Sequence, residues 1–217
     1  MAVQSTKGLR IYISKGTAAA HPFTPTAISK AKPAVVTVAA VTGIAAGDVV
    51  TFANTGFPEL DNRAFVVGTV DGTANTFIVV GSDTTASTAT LGATPSATVY
   101  EATDMQSLCL SSIEISAGSP NTIDISTFCN PGASLPGNPT PGTLTFSGYT
   151  DTTDLGYQEL LLAEADGKER MLKIEIPGNG YLVAPVIIGS VGWTVPLEGA
   201  VAYNFSATMV KPLVHRF

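Results

Sequence analysis

Residues 143–176 read TLTFSGYTDTTDLGYQELLLAEADGKERMLKIEI, and this stretch decides the fold class. Thr143–Tyr149 alternates strictly. Leu144 and Phe146 take one face, and Thr143, Thr145 and Ser147 the other, which is the pattern of a half-buried strand. Asp151-Thr152-Thr153-Asp154 is rich in N-cap residues, and acids there suit the positive end of a helix dipole. The spacing then predicts a helix with Leu155, Leu161, Leu162 and Ala165 on its apolar face and Tyr157 and Leu160 flanking it. Gly167 is placed to stop this helix, and Lys168 and Arg170 favour its negative end. Met171–Ile176 returns to strand. Further on, in Gly199–Val210, Val201, Tyr203, Phe205, Ala207 and Met209 alternate with Ala202, Asn204, Ser206 and Thr208. A single helix among strands points to an all-β architecture.

Working outward, Leu108–Ile115 reads as a strand, and Ser119-Pro120-Asn121 as a turn into Thr122–Thr127. Residues 130–142 (NPGASLPGNPTPG) hold four Pro and three Gly and read as a long irregular loop. Val183–Val195 is a long apolar run interrupted by Pro185, Gly189 and Gly192. Near the start, Gly8–Ser14 alternates as a strand, and Thr17–Pro33 reads as a Pro- and Ala-rich linker. Residues Ala34–Tyr100 are compositionally distinct. Short apolar runs at Val35–Val41, Asp48–Ala53, Ala64–Val70, Thr76–Val80 and Ala97–Glu101 are separated by turn residues, with Asp71-Gly72 as a hairpin signal. Ser82–Ser96 is low in complexity and reads as an exposed loop. The organisation expected is a β-sandwich with one packed helix, formed by residues 1–32 and 102–217. It is interrupted after its first strand by a small β-barrel-like insertion, residues 33–101.

Composition excludes several classes. Hydrophobic residues make 45 % of the 217-residue chain and charged residues only 13 %, which is incompatible with intrinsic disorder. There is no apolar run long enough for a transmembrane helix, and MAVQSTKGLR lacks the h-region of a signal peptide. The net charge of −6 disfavours generic binding to nucleic acid or anionic lipid. Between Arg63 and Lys168 there are eleven acids and no Lys or Arg. This is either drift in a charge-poor chain or a surface that must not attract polyanions.

Few residues fall in patterns that carry chemistry. His21 and His215 lie in terminal segments with no companion at metal-ligand spacing. No nucleophile elbow, P-loop or dinucleotide fingerprint occurs. Cys109 and Cys129 lie twenty apart and form no redox pair. They are either buried thiols in a reducing compartment or a disulfide between adjacent strands. Asp151 and Asp154 read as helix-start acids. Glu159, Glu164, Asp166 and Glu169 read as a solvated helix face. Asn204-Phe205-Ser206 matches a glycosylation pattern by chance within a strand. The expectation is a structural protein, not an enzyme, with no cofactor and no metal.

The order of these elements resembles a known family. The stretch TFSGYTDTTDLGYQELLLAEADGK is similar to the strand–helix unit of tail tube proteins from phages with long, non-contractile, lambda-like tails. VPLEGAVAYNFSATMV resembles that family's final strand, and MAVQSTKGLRIYIS its opening. The insertion resembles a small β-barrel module of phage structural proteins. It is also similar to a half-domain of ubiquitin-activating enzymes, with Asp48, Leu60, Asn62, Phe65 and Phe77 at the pattern positions. The module has no Cys, so no ubiquitin chemistry follows, and Asp61-Asn62 reads as a turn.

The resemblance implies hexameric rings stacked into a tube around a tape measure protein, with tail terminator and tail tip proteins as further partners. DNA would pass through without specific binding, and no membrane would be involved. The place would be a virion tail, assembled in the host cytoplasm. Loops and arms would join one ring to the next, with Met1, Lys7, Leu135, Pro136, Asn138, Lys211 and Phe217 as contact candidates. Glu114 and Asp124, on the polar faces of their strands, are candidates for the channel lining; the bland alternative is a solvated outer face. Two other functions fit the same composition: another β-sandwich assembly protein (a secretion-system tube or capsid decoration) and a glycan-binding tail module.

Overall fold

The computed structural model describes residues 8–17, 21–116, 118–119, 122–124, 134–136, 140–178, 180–211 and 213–216. It is all-β with one helix. The strands are β1 (Arg10–Ser14), β2 (His21–Phe23), β3 (Pro25–Ile28), β4 (Ala34–Val38), β5 (Val49–Ala53), β6 (Ala64–Asp71), β7 (Thr76–Val80) and β8 (Ser96–Tyr100). They continue with β9 (Met105–Ser107), β10 (Ser112–Ser116), β11 (Thr122–Asp124), β12 (Ser134–Pro136) and β13 (Thr143–Tyr149). Helix α1 spans Leu155–Asp166, and β14 (Glu169–Ile176), β15 (Gly180–Thr194), β16 (Ala202–Met209) and β17 (Val214–Arg216) complete the chain.

The larger sheet runs β10-β13-β16-β15-β14-β1-β9, with β17 pairing the start of β15. All its pairings are antiparallel, and β15 shifts register between Ile188 and Val191. One face of this sheet and α1 enclose a common core that includes Ile13, Phe146, Leu160, Leu172, Ile188, Tyr203 and Phe205. The alternation read from the sequence is what fills it: every second residue of β16, from Tyr203 to Met209, is buried. Tyr203 lies across Gly148, its cross-strand partner, where a Cβ would stand 2.4 Å from the phenol oxygen. With Tyr157 tilted against it at 4.9 Å and Phe205 edge-on at 5.4 Å, Tyr203 is the centre of an aromatic cluster. Its burial pushes the phenol pKa up to about 12.

The helix is capped as the sequence predicts. Asp154 accepts the Gly156 N–H, and Gly167, in the left-handed region at φ 60°, closes it. Its buried face differs from the expected one, however. Gly156, Tyr157, Leu160 and Ala163 point inward, while Leu155 and Leu162 are 61 % and 45 % exposed. With leucines on several sides, apolar spacing alone does not select a stripe. What selects it is close approach, because a Cβ on Gly156 would stand 2.6 Å from the Ser107 carbonyl.

The smaller sheet runs β2-β8-β5-β6-β7-β4-β3. Its two ends, β2 and β3, are separated in the chain by Thr24 alone. The segment 21–28 therefore joins both edges and curls the sheet into a closed barrel around Phe52, Phe65, Phe77 and Val99. This corrects the expectation of a linker over Thr17–Pro33. Pro22 and Pro25 do not forbid strands there, because each sits in a short terminal strand whose far side needs no N–H. Ser82–Ser96 is a loop, as its composition predicts, up to the start of β8, and it is anchored at a few buried residues. Ser82 Oγ accepts the Ala34 N–H at 2.9 Å, Thr84 Oγ1 bonds Ser29 and Ala31, and both residues are buried. Asp61 accepts from Thr55 N and Oγ1 at 2.8 and 2.6 Å, and Asn62 takes a positive φ of 59°, so this pair does build a turn.

The two sheets share an apolar contact of Val49, Ala64, Val66 and Val80 with Met171 and Val183. Lys173, on β14, crosses it. Its buried ammonium donates to the Gly47 carbonyl at 2.6 Å, pairs with Glu175 at 2.7 Å, and sits 5.7 Å from the ring centroids of both Tyr12 and Tyr181. Asp48 binds the chain at its exit from the barrel, accepting from Ala45 N at 2.7 Å and Ala102 N at 3.1 Å. Burial raises the Asp48 pKa despite those bonds.

Three further corrections concern the second half. Residues 108–111 are not strand, and Cys109 is exposed, so it is neither the buried thiol nor part of the apolar strand expected; Cys129 lies outside the described residues. The 130–142 loop carries a strand, β12, which pairs with β11 in a separate two-stranded sheet. The tail after Lys211 is not a free arm, because β17 adds to β15 and Val214 packs into the barrel core.

Candidate functional site: a cation-free hydroxyl face

The outer face of β10, β13, β16 and the second half of β15 has an unusual chemistry. Cross-strand register aligns its residues in rows. Ser112 faces Ser147, which faces Asn204, which faces Gly192. Glu114 faces Thr145, which faces Ser206. Ser116 faces Thr143, which faces Thr208, which faces Ile187. Neighbouring side chains tie to each other, Ser147 Oγ to Asn204 Oδ1 and Ser206 Oγ to Ser190 Oγ at 3.2 Å. The register shift in β15 brings Ser190 onto this face, next to Ser206.

Among these outward positions there is one carboxylate, Glu114, and no Lys or Arg. The face is thus mostly hydroxyl and amide groups, with Ile187 and Tyr149 as exposed apolar members at its borders. It offers no cation for a phosphate and carries a weak negative bias. β10, which bears Glu114, stands at the end of the sheet order, and among the described residues no strand pairs with its edge away from β13.

Each residue predicted from sequence has a definite place or falls outside the description. Glu114 is exposed on this face. Asp124 belongs to β11, in the separate two-stranded sheet, and its side chain is outside the described residues. Leu135 and Pro136 lie on β12, and Lys211 is exposed just after β16. Met1, Lys7, Asn138 and Phe217 lie outside the described residues. The hydroxyl rows themselves were visible in the sequence as Thr143, Thr145 and Ser147 and as Asn204, Ser206 and Thr208.

Charged groups elsewhere are structural. Arg170, with its side chain 3 % exposed, meets Asp166 at 2.6 Å and Glu159 at 3.6 Å, joining the end of α1 to β14. Burial opposes ionisation of Asp166, but the Lys168 N–H and the Arg170 guanidinium outweigh it and hold the carboxyl below its usual range. His21 lies 3.7 Å from Glu101 and 3.6 Å from Asp104 at the barrel exit. Among the described residues no three His, Cys, Asp or Glu side chains gather in a way that could hold a metal ion. No described helix is long and apolar enough to cross a membrane.

No protein-family model and no curated protein matches the sequence. Several solved structures are similar to about half of the fold. A chain in the tail of an empty gene transfer agent particle with C6 symmetry shares 15 % identity at a TM-score of 0.42, over 52 % of this chain and 87 % of that one. A chain of the SPP1 tail tube shares 16 % at 0.40, over 50 % and 64 %. A chain from the sheath–tube complex of an extracellular contractile injection system, PVC, shares 8 % at 0.41, over 51 % and 82 %.

Proposed function

We propose that this chain is a structural protein of a phage-type tail tube. Copies associate into hexameric rings, the rings stack, and the hydroxyl face of β10, β13, β16 and β15 lines a channel for DNA. The observation that carries this reading is the face itself. Moving DNA needs a wall that does not bind it. Each Lys or Arg on such a wall would neutralise phosphate and release counterions, adding affinity at every ring. Hydroxyls exchange bonds with water at little net cost, and Glu114 adds repulsion. The edge of β10, with no pairing strand among the described residues, supports the same reading, because an unpaired strand edge invites pairing, and pairing with another copy covers it. The sequence resemblance described above agrees with this.

In this reading Asp124 is a second channel acid. The contact candidates Met1, Lys7, Leu135, Pro136, Asn138, Lys211 and Phe217 serve ring stacking. The protein works in a virion tail after assembly in the host cytoplasm, around a tape measure protein and between terminator and tip proteins. No catalytic role and no cofactor are assigned.

Negative-stain microscopy of the purified protein tests this reading. Stacked rings with a central channel are expected. Monodisperse single copies at all concentrations, or binding to capsids without tubes, would overturn it.

A further inference from the structure

The hairpin of β15 and β16 has two unlike ends. At its turn, Val195 and Leu197 are 73 % and 106 % exposed, and Glu198 follows, also exposed. At the other end, where Val186 pairs with Met209, a cleft of ≈ 210 Å³ opens between the larger sheet and the barrel. Phe52, Tyr100, Met171 and Pro185 give it apolar walls, and Arg63 and Lys211 are its cations. Glu169 stands on the same lining, which leaves one net positive charge.

Neither Arg63 nor Lys211 makes an ion pair among the described residues. Arg63 Nη1 reaches the Glu59 carbonyl only at 3.4 Å, and its Nε is buried with no hydrogen-bond partner. The cleft is smaller than the roughly 300–1,000 Å³ usual for small-molecule sites, and it suits one or two side chains. About eight residues of strand, at roughly 3.3 Å each, separate the hairpin's ends, so the turn lies some 25 Å from its own cleft.

We propose that the turn 195–198 of one copy seats in the cleft of another, with Leu197 against the apolar wall and Glu198 on Arg63 and Lys211. The contact joins opposite ends of one hairpin and is head-to-tail. Repeated along the hairpin direction it does not close, and so it stacks copies into a filament. This inference rests on the tube reading, to which it supplies an axial joint.

Two experiments on the full chain test it. In the first, Glu198→Lys alone and the pair Arg63→Glu/Lys211→Glu alone are each expected to raise the concentration for half-maximal assembly by roughly tenfold or more. The triple variant, with both charges exchanged, is expected to recover most of that loss. In the second, Leu197→Cys with Ser96→Cys, in a Cys109→Ser/Cys129→Ser background, is expected to give a ladder of disulfide-linked multimers on mild oxidation of the assemblies. Tubes that form without a ladder, or charge variants that assemble like wild type, would overturn the joint and leave the tube. Absence of any assembly in the wild-type chain would overturn both.

Discussion

Replacing the row Glu114, Thr145 and Ser206 with lysine would turn the face from one negative charge to three positive charges per copy. The three sites lie on adjacent strands, about 4.8 Å apart, so their ammoniums span roughly 10 Å. Duplex DNA carries about one charge per 1.7 Å of axis, so all three can meet phosphates at once. Each neutralised phosphate contributes a log–log salt slope near −0.9, which gives about −2.7 for one engaged copy. Raising salt from 50 to 200 mM should then weaken binding by about 40-fold. The fold should tolerate the change, because the three side chains point away from the core and β-propensity spans only ~1 kcal/mol. The assay is fluorescence anisotropy of labelled DNA with assembled tubes, run with linear duplex and with closed circles. Linear DNA should bind the variant with the steep salt dependence and become protected from nuclease, while wild-type tubes retain neither form. A circle cannot thread a channel, so circular DNA should bind the variant poorly. Equal binding of circles, or no gain with linear DNA, would refute the placement of this face inside the tube.

The remaining predictions concern the frame that holds the face. Gly148→Ala should cost about 1–3 kcal/mol by overpacking, since the new Cβ would meet the buried Tyr203 ring; urea denaturation measures it. Arg170→Ala should cost about 3 kcal/mol, at the low end for breaking a buried pair because Asp166 keeps 22 % of its side-chain exposure; the loss should appear as a lower urea midpoint. Lys32, 2.8 Å away, and the Thr85 hydroxyl and N–H hold Asp83 at about 2, below its ordinary 3.8. Between these values the unfolded chain binds the extra proton, so this contribution is present above pH 4 and lost as pH falls toward 2. Asp83→Asn should therefore flatten the acid limb of the stability curve, as read from urea midpoints at successive pH values.

Much of the frame is legible in the sequence where one physical rule acts alone. Alternation in β13 and β16 marks both strands and their inner faces, and Asp154 and Gly167 mark the helix ends. Legibility fails where tertiary contact overrides local preference. Pro22 and Pro25 look like linker residues, yet barrel closure makes strands of both. The helix face is chosen by close packing of Gly156 against β9, which leucine spacing does not encode. Cys109 sits in an apolar stretch but is exposed, because β10 starts only at Ser112. The hydroxyl face was in plain view strand by strand. It becomes a surface only when the register sets β10, β13, β16 and the shifted end of β15 side by side.

The most direct test of the central claim is an electron cryo-microscopy map of the assembled protein at a resolution that resolves strands. The account predicts a tube whose channel wall is built from β10, β13, β16 and the end of β15, with Glu114, Thr145 and Ser206 pointing into it. A tube lined by any other face, or one with these three residues on its outer surface, would contradict it.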